Sequence, residues 1–336
     1  MACLKNAAES YLDFAHSSPA LGALGLLLLS LGAYTYATIS FAQLKFLLEL
    51  TVVPGKKLAQ YKKKGSWAVV TGASDGIGKE FATQLAKAGF SVVLVSRTKA
   101  KLDALATEIE SKYGVSTEVV PFDFATVSDG AYDALERTIA PLDVSVLINN
   151  VGQSHSIPVA FAETSVEEMS SIININNIGT LRVTRIVLPK LIAQRGGLVL
   201  TMGSFGGMAP SPLLAVYSGS KAFLEYWNTS MAAELAPYKV DSYVVFSYLV
   251  TSAMSKVRKT SLMIPNPKSF VASTLANIGL TRGVRPYTMI PYWSHAILGA
   301  GMRLLPASVL RNQTRSMHVN IRKRALRKAE RERKGQ

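Results

Sequence analysis

The chain has 336 residues, 49% of them hydrophobic, with 37 Lys/Arg against 22 Asp/Glu and a single cysteine. That size and apolar content suit one large domain or two small ones and exclude a mainly disordered chain; the lone Cys3 excludes an intramolecular disulfide and fits a reducing compartment. The net charge of +15 does not mark a nucleic-acid face, because residues 45–64 carry +5 of it and residues 311–336 carry +8, which leaves basic flanks that are either solvated or drawn to anionic lipid headgroups.

Residues 1–19 form a short segment carrying Lys5, Glu9 and Asp13, after which residues 17–44 contain no charge at all. About 20 apolar residues suffice to cross a bilayer as a helix, and residues 20–43 are read as a transmembrane helix. The rival, a cleaved signal peptide, fits less well because the basic charge follows the apolar run. The positive-inside rule then puts residues 1–19 in the lumen and everything after the basic linker, residues 44–65, in the cytosol.

After Pro54-Gly55 the grammar changes. Residues 66–71 read as a strand that stops at Gly72-Ala73-Ser74-Asp75-Gly76-Ile77-Gly78, followed by a helical pattern over 79–88 with Gly89 as its C-terminal cap. Strand, glycine turn and helix make a dinucleotide site, with backbone N–H groups facing a pyrophosphate at the helix N-terminus. The next strand, 91–96, ends in Ser96-Arg97 where an NAD site would carry an acid, so Arg97 is expected to meet a 2′-phosphate and the cofactor to be NADPH. Helical stripes and strands then alternate, with a strand over 116–124 ending near Asp123 and another over 144–148 leading into Asn149-Asn150-Val151-Gly152. A helix over 166–194 carries Asn174, Asn176 and Asn177, which need partners if buried. This alternation predicts an α/β fold, a Rossmann-type doubly wound parallel sheet, preceded by one N-terminal transmembrane helix. The four histidines, His16, His155, His295 and His318, stand at no ligand spacing, and no metal is expected.

A strand over 197–202 delivers Ser204, and Tyr217 opens a helix with Lys221 four residues on, on the same face. The ammonium is expected to favour the phenolate and bring the tyrosine nearer the working pH. Ser204 could bond the oxygen that Tyr217 protonates, and the natural target is a carbonyl becoming an alcohol.

Together, the run from Thr71 to Gly78, the Asn149-Asn150-Val151-Gly152 run, Asn176 and the Ser204, Tyr217, Lys221 set resemble the short-chain dehydrogenase/reductase family over residues 66–250. The resemblance implies that Tyr217 is the general acid, that Lys221 lowers its pKa and bonds the nicotinamide ribose, that Ser204 polarises the carbonyl, and that Asn176 holds a water in a proton relay. It implies cofactor contacts from Gly72, Ser74, Asp75, Gly76, Ile77, Gly78, Arg97, Asn150, Tyr217 and Lys221, with Asp123 near the adenine. Ser247-Tyr248 departs from the family's frequent Pro-Gly, and glycine precedes Ser204 where a second serine is frequent.

With the N-terminal helix, residues 251–259 and residues 291–295, the resemblance narrows to the endoplasmic-reticulum members that reduce very-long-chain 3-oxoacyl-CoA in fatty-acid elongation. It implies the other enzymes of the elongation cycle as partners, without nucleic acid. The residues themselves give a catalytic domain over 66–285, an apolar segment over 286–310 that Pro286, Pro291 and His295 interrupt and that is read as interfacial or re-entrant, and a basic cytosolic tail over 311–336. Lys256, Arg258 and Lys259 are either a solvated loop or a site for CoA phosphates, and Arg333-Lys334-Gly335-Gln336 resembles a retrieval signal. The motifs leave two alternatives open: a 17β-hydroxysteroid dehydrogenase with the same chemistry, and a non-catalytic scaffold subunit.

Overall fold

The computed structural model describes residues 2–63, 65–126 and 128–334. Lys64 of the basic linker and the Gly335-Gln336 end of the retrieval-type motif lie outside them. The chain divides into two compact units, Met1–Val52 and Val53–Gln336.

The first unit is two helices, α1 (Ala2–Ser17) and α2 (Pro19–Thr51). Pro19 opens α2 at a position where its missing N–H costs nothing, and the Tyr11 hydroxyl of α1 donates to the Gly22 carbonyl. At 33 residues, α2 is about 50 Å long, well beyond the ~30 Å of a hydrocarbon core. It runs on past residue 43, where the sequence suggested an end, because Leu44, Leu47 and Leu48 prolong the apolar run and no breaker arrives before Pro54. Among the described residues it is the one helix long and apolar enough to cross a membrane.

The second unit is built on seven parallel strands, β1 (Trp67–Thr71), β2 (Ser91–Ser96), β3 (Thr117–Pro121), β4 (Val144–Asn149), β5 (Gly197–Met202), β6 (Val240–Val245) and β7 (Thr288–Met289), in the order β3-β2-β1-β4-β5-β6-β7. The helices are α3 (Gly76–Lys87), α4 (Lys99–Tyr113), α5 (Asp129–Ile139), α6 (Val166–Ile173), α7 (Gly179–Ala193), α8 (Phe205–Met208), α9 (Ala215–Leu235), α10 (Pro267–Ala276), α11 (Trp293–Leu304) and α12 (Ala307–Lys334).

Strand residues alternate between two cores. Ala68, Val70, Leu94 and Ile148 join Phe81, Leu85, Leu102 and Phe270 on the face covered by α3, α4 and α10. Val69, Val93, Leu147 and Val199 join Leu135, Val183, Leu191 and Met231 under α5, α7 and α9. Period-two side chains packed on both faces explain why the strands read as unbroken apolar runs. The strand β3 is shorter than expected: it stops at Pro121, and Phe122 and Phe124 turn into the second core, leaving Asp123 exposed beyond its end.

The basic linker is fastened down rather than free. Lys56 pairs with Asp241 at 2.6 Å, Tyr61 donates to the same carboxylate at 2.6 Å, and Lys62 and Lys63 donate to the Ala88 and Gln194 carbonyls. Asp241 lies at the start of β6, so residues 56–61 are fixed at the amino rim of the sheet. The candidate site is at the opposite, carboxyl rim.

Candidate active site

Successive strands leave β1 in opposite directions, β2 and β3 on one side and β4 on the other, and such a switch opens a crevice at the carboxyl ends. Thr71 Oγ1 accepts from the backbone N–H groups of Asn150 and Val151 at 3.0 and 3.1 Å, and Asn150 Nδ2 donates to the Thr71 carbonyl at 2.9 Å. The side chain of Asn150 is thus spent on shaping the glycine turn. A Cβ on Gly78 would fall 2.1 Å from the Gly72 carbonyl oxygen and 2.5 Å from Asn150 Nδ2, so only glycine lets α3 start against the turn. Asp75 caps α3 by accepting from Gly76 N at 2.7 Å, and Ser74 shares a 2.8 Å hydrogen bond with Ser96. Arg97, next in line, is exposed and without a hydrogen bond or ion pair among the described residues.

The reaction centre forms where α8 and α9 meet β5. Gly207 makes the meeting possible, since a Cβ there would come within 2.7 Å of the Lys221 backbone. Ser204 caps α8, accepting from Gly206 N at 3.1 Å, and its Oγ lies close to the Tyr217 ring, the two standing 3.5 and 3.3 Å from the point a Gly206 Cβ would take. Lys221 is 5% exposed and donates to the Met202 carbonyl at 2.7 Å. Burial dominates the electrostatics of both groups. Burial raises the Tyr217 phenol above its ordinary range, and its interaction with Ser204 opposes this. Burial also lowers Lys221 itself to about 8. Two desolvated groups of this kind each prefer neutrality.

Asn176 lies in a π turn, Asn174–Ile178, between α6 and α7, where the Gly179 N–H reaches back five residues to the Asn174 carbonyl. Such turns recur at functional sites. Its side chain is fully committed: Oδ1 accepts from Gln153 N at 2.7 Å, while Nδ2 donates to the Gln153 carbonyl at 2.9 Å and to Ser220 Oγ at 2.8 Å. Asn174 and Asn177 bond the Ala125 and Ser220 carbonyls. A Cβ placed on Gly152 would stand 3.4 Å from Asn176 Oδ1 and 3.5 Å from Lys221 Nζ, which brings all three residues together.

A sequence profile of the short chain dehydrogenase family matches residues 66–262. This chain belongs to that family. Its members include the very-long-chain 3-oxoacyl-CoA reductase of Aspergillus terreus, 56% identical over 294 residues that cover 86% of this chain and 83% of that one, and the protein of the same name from Podospora anserina, 53% identical with 91% and 92% covered. A solved short-chain dehydrogenase from Sphingobium yanoikuyae, in complex with NADPH, is 25% identical with a TM-score of 0.60, covering 71% of this chain and 94% of that one.

For a short-chain dehydrogenase the crevice fits a dinucleotide. Gly72 and Gly76 stand at φ +67° and +55°, in the conformation that lets backbone N–H groups face a phosphate, and the exposed Arg97 replaces the acid that would face an unphosphorylated ribose. Asp123 accepts from Ala125 N at 3.0 Å with its carboxylate otherwise exposed.

The sequence reading missed the groups that hold this constellation: Thr71 as a double acceptor, Gln153 as the anchor of Asn176, and Ser220. Only Thr71 had a signal, as a hydroxyl closing an otherwise apolar strand. It also missed how the far rim is held. Ser294 and His295 of α11 bond the Leu262 and Met263 carbonyls at 2.8 and 3.1 Å, and the His295 ring packs among Phe205, Tyr248, Phe270 and Tyr292. Tyr248, in the place of the family's frequent glycine, is part of that cluster. Lys256 donates to the Ser156 carbonyl at 2.8 Å, leaving Arg258 and Lys259 exposed beside it. The basic tail is the 28-residue helix α12, with His318 buried and Arg322 bonded to the body of the unit.

Proposed function

We propose that this chain is a membrane-anchored, NADPH-dependent reductase that converts very-long-chain 3-oxoacyl-CoA to 3-hydroxyacyl-CoA in fatty-acid elongation. The observation that carries the reading is the reach of the identity: more than half of the residues agree with reductases of that name over 294 to 316 positions, far beyond the stretch that defines the family. The match takes in segments on either side of residues 66–262.

The residues at the reaction centre suit the step. Bound NADPH supplies the hydride for the C3 carbonyl. Gly72, Ser74, Asp75, Gly76, Ile77, Gly78, Arg97, Asp123 and Asn150 form or border its crevice. Tyr217, held neutral by burial, gives its phenolic proton to the carbonyl oxygen, and Ser204 donates a hydrogen bond to that oxygen. Lys221, next to Gly152, holds the ribose side. The main-chain carbonyl of Asn176 is the water ligand of the relay, since its side chain is spent on Gln153 and Ser220.

The anchor has a physical purpose. Each CH₂ of the substrate withdrawn from water contributes about 0.8 kcal/mol, so a reductase tethered by residues 20–43 meets the acyl tail in the bilayer and CoA in water. The lysines after the apolar run support a catalytic unit on the cytosolic side, and the endoplasmic reticulum is its membrane in this reading. The helix α11, 12 residues long, exposes Trp293 and Ile297 and buries Ser294 and His295. It is too short to cross and suits an interfacial position within residues 286–310. The other elongation enzymes are its partners in this reading.

The test is NADPH oxidation by the detergent-solubilised full-length protein with a long-chain 3-oxoacyl-CoA, beside Tyr217→Phe. The wild type is expected to turn over and the variant to lose about 10²- to 10⁴-fold in kcat while still binding NADPH. Reduction of a ketosteroid but not of acyl-CoA overturns the substrate, and NADPH binding without turnover on either points to a scaffold.

A further inference from the structure

The helix α12 lies outside the residues matched by the family profile, yet it grips two loops that flank the reaction centre. His318, 5% exposed, donates from Nδ1 to the Pro212 carbonyl at 2.7 Å. One turn later Arg322 donates to the Pro158 carbonyl at 2.9 Å and pairs with Glu163 at 2.7 Å. Residues four apart share a helix face, so both grips come from one side of α12.

Pro212 belongs to the loop 209–214 that leads into Tyr217. Ser211 Oγ there lies 3.6 Å from the position a Gly206 Cβ would take, with Ser204 Oγ at 3.5 Å and the Tyr217 ring at 3.3 Å from the same point. Pro158 and Glu163 belong to the connection between β4 and α6, whose beginning at Gln153 is held by Asn176. The two loops also join each other, Val159 N donating to the Leu213 carbonyl at 2.8 Å. Leu213 has φ +70°, a left-handed backbone that leucine rarely adopts, so this turn requires outside support. Loop, loop and helix close a ring of hydrogen bonds beside Ser204 and Tyr217.

We propose that α12 is a clamp on the substrate entrance, with His318 and Arg322 as positioning residues that keep loops 156–164 and 209–214 at the spacing the acyl-CoA needs. The basic residues elsewhere on α12 remain outside this grip, and its side-chain bonds reach none of residues 72–78 among the described residues. The clamp should therefore govern the substrate and leave the cofactor alone. The choice of acyl-CoA as that substrate rests on the function proposed above.

In the full-length, detergent-purified protein, His318→Leu and Arg322→Gln are each expected to raise KM for a long-chain 3-oxoacyl-CoA about fivefold to tenfold while kcat and NADPH affinity change by less than about twofold. His318→Asn, which keeps a donor near the same point, should restore most of the loss. Amide exchange should quicken in residues 156–164 and 209–214 together and stay unchanged in residues 72–78. Folded variants with unaltered KM and exchange overturn the proposal, as does a loss shared equally by NADPH affinity and not rescued by His318→Asn. Should His318→Leu fail to fold, Glu163→Arg combined with Arg322→Glu decides: a double variant closer to wild type than either single supports the clamp, and one no better overturns it. If the wild type turns over no 3-oxoacyl-CoA, the reductase reading fails, while the exchange measurement still decides the clamp.

Discussion

At residues 72–78 the protein shapes its surface with backbone, whereas at residues 156–164, 209–214 and 251–264 it does so with side chains that reach from far along the chain. Gly78 touches the Gly72 carbonyl through neighbours in sequence, and Thr71 and Asn150 complete the turn from adjoining strands. On the other side, His295 holds Met263, Lys256 holds Ser156 and Arg322 holds Pro158. In each case the group held is a carbonyl, which every residue type possesses. The first design tolerates almost no change of residue; the second constrains the grips but leaves the held loops free to vary, which suits the half that must tell one carbonyl compound from another.

Four changes break or sharpen this contrast. Gly78→Ala strikes the backbone-built side, and a Cβ 2.1 Å from a carbonyl oxygen should lower NADPH affinity by about 100-fold or more, or prevent folding; calorimetric titration with NADPH reads it. His295 belongs to the other side. Burial lowers its folded pKa to about 4 from 6.5, so the unfolded chain binds more protons between these values and stability falls as pH drops from 6.5 to 4. The loss should be on the order of 3 kcal/mol, and a pH series of melting curves should show it absent in His295→Gln. Lys221, between the halves, is lowered to about 8 by burial, so its cost to the fold is complete below pH 8 and relieved as pH rises to 10.5. Lys221→Met should abolish turnover yet raise stability at pH 7 by about 1–2 kcal/mol, with the advantage fading at high pH. Smallest is the pair Arg258→Glu and Lys259→Glu, expected to raise KM for acyl-CoA about threefold at low salt and less at high salt; a salt-independent KM would remove these residues from the CoA phosphates.

The same contrast explains what the sequence disclosed. Strands β1, β2, β4 and β5 and the glycine turn were legible because their signals are local: apolar runs, glycines and a cap within a few residues. Ser204, Tyr217, Lys221 and Asn176 were legible as a spaced set, and the structure brings them to one rim. Their electrostatics were not, because the 5% exposure of Lys221 depends on α8 packing over α9 through Gly207. His318 read only as one of four scattered histidines at no ligand spacing, since its partner Pro212 lies 106 positions away and a carbonyl leaves no mark in a sequence. The end of β3 was misjudged because Phe122 and Phe124 continue an apolar pattern that serves the core and not the strand.

The π turn at Asn174–Ile178 is, in register, an α-helix carrying one residue too many. Removing that residue would restore ordinary helical bonding and rotate α6 against α7 by about 100°. Glu168 on α6 holds Ser156 and His155, while Asn176 within the turn holds Gln153. A regular helix would carry these two hooks to different azimuths, and the loop they jointly thread would lose one of them. The insertion is thus a phase correction, giving up some helical regularity so that one rod can hold a single strand of chain at two points.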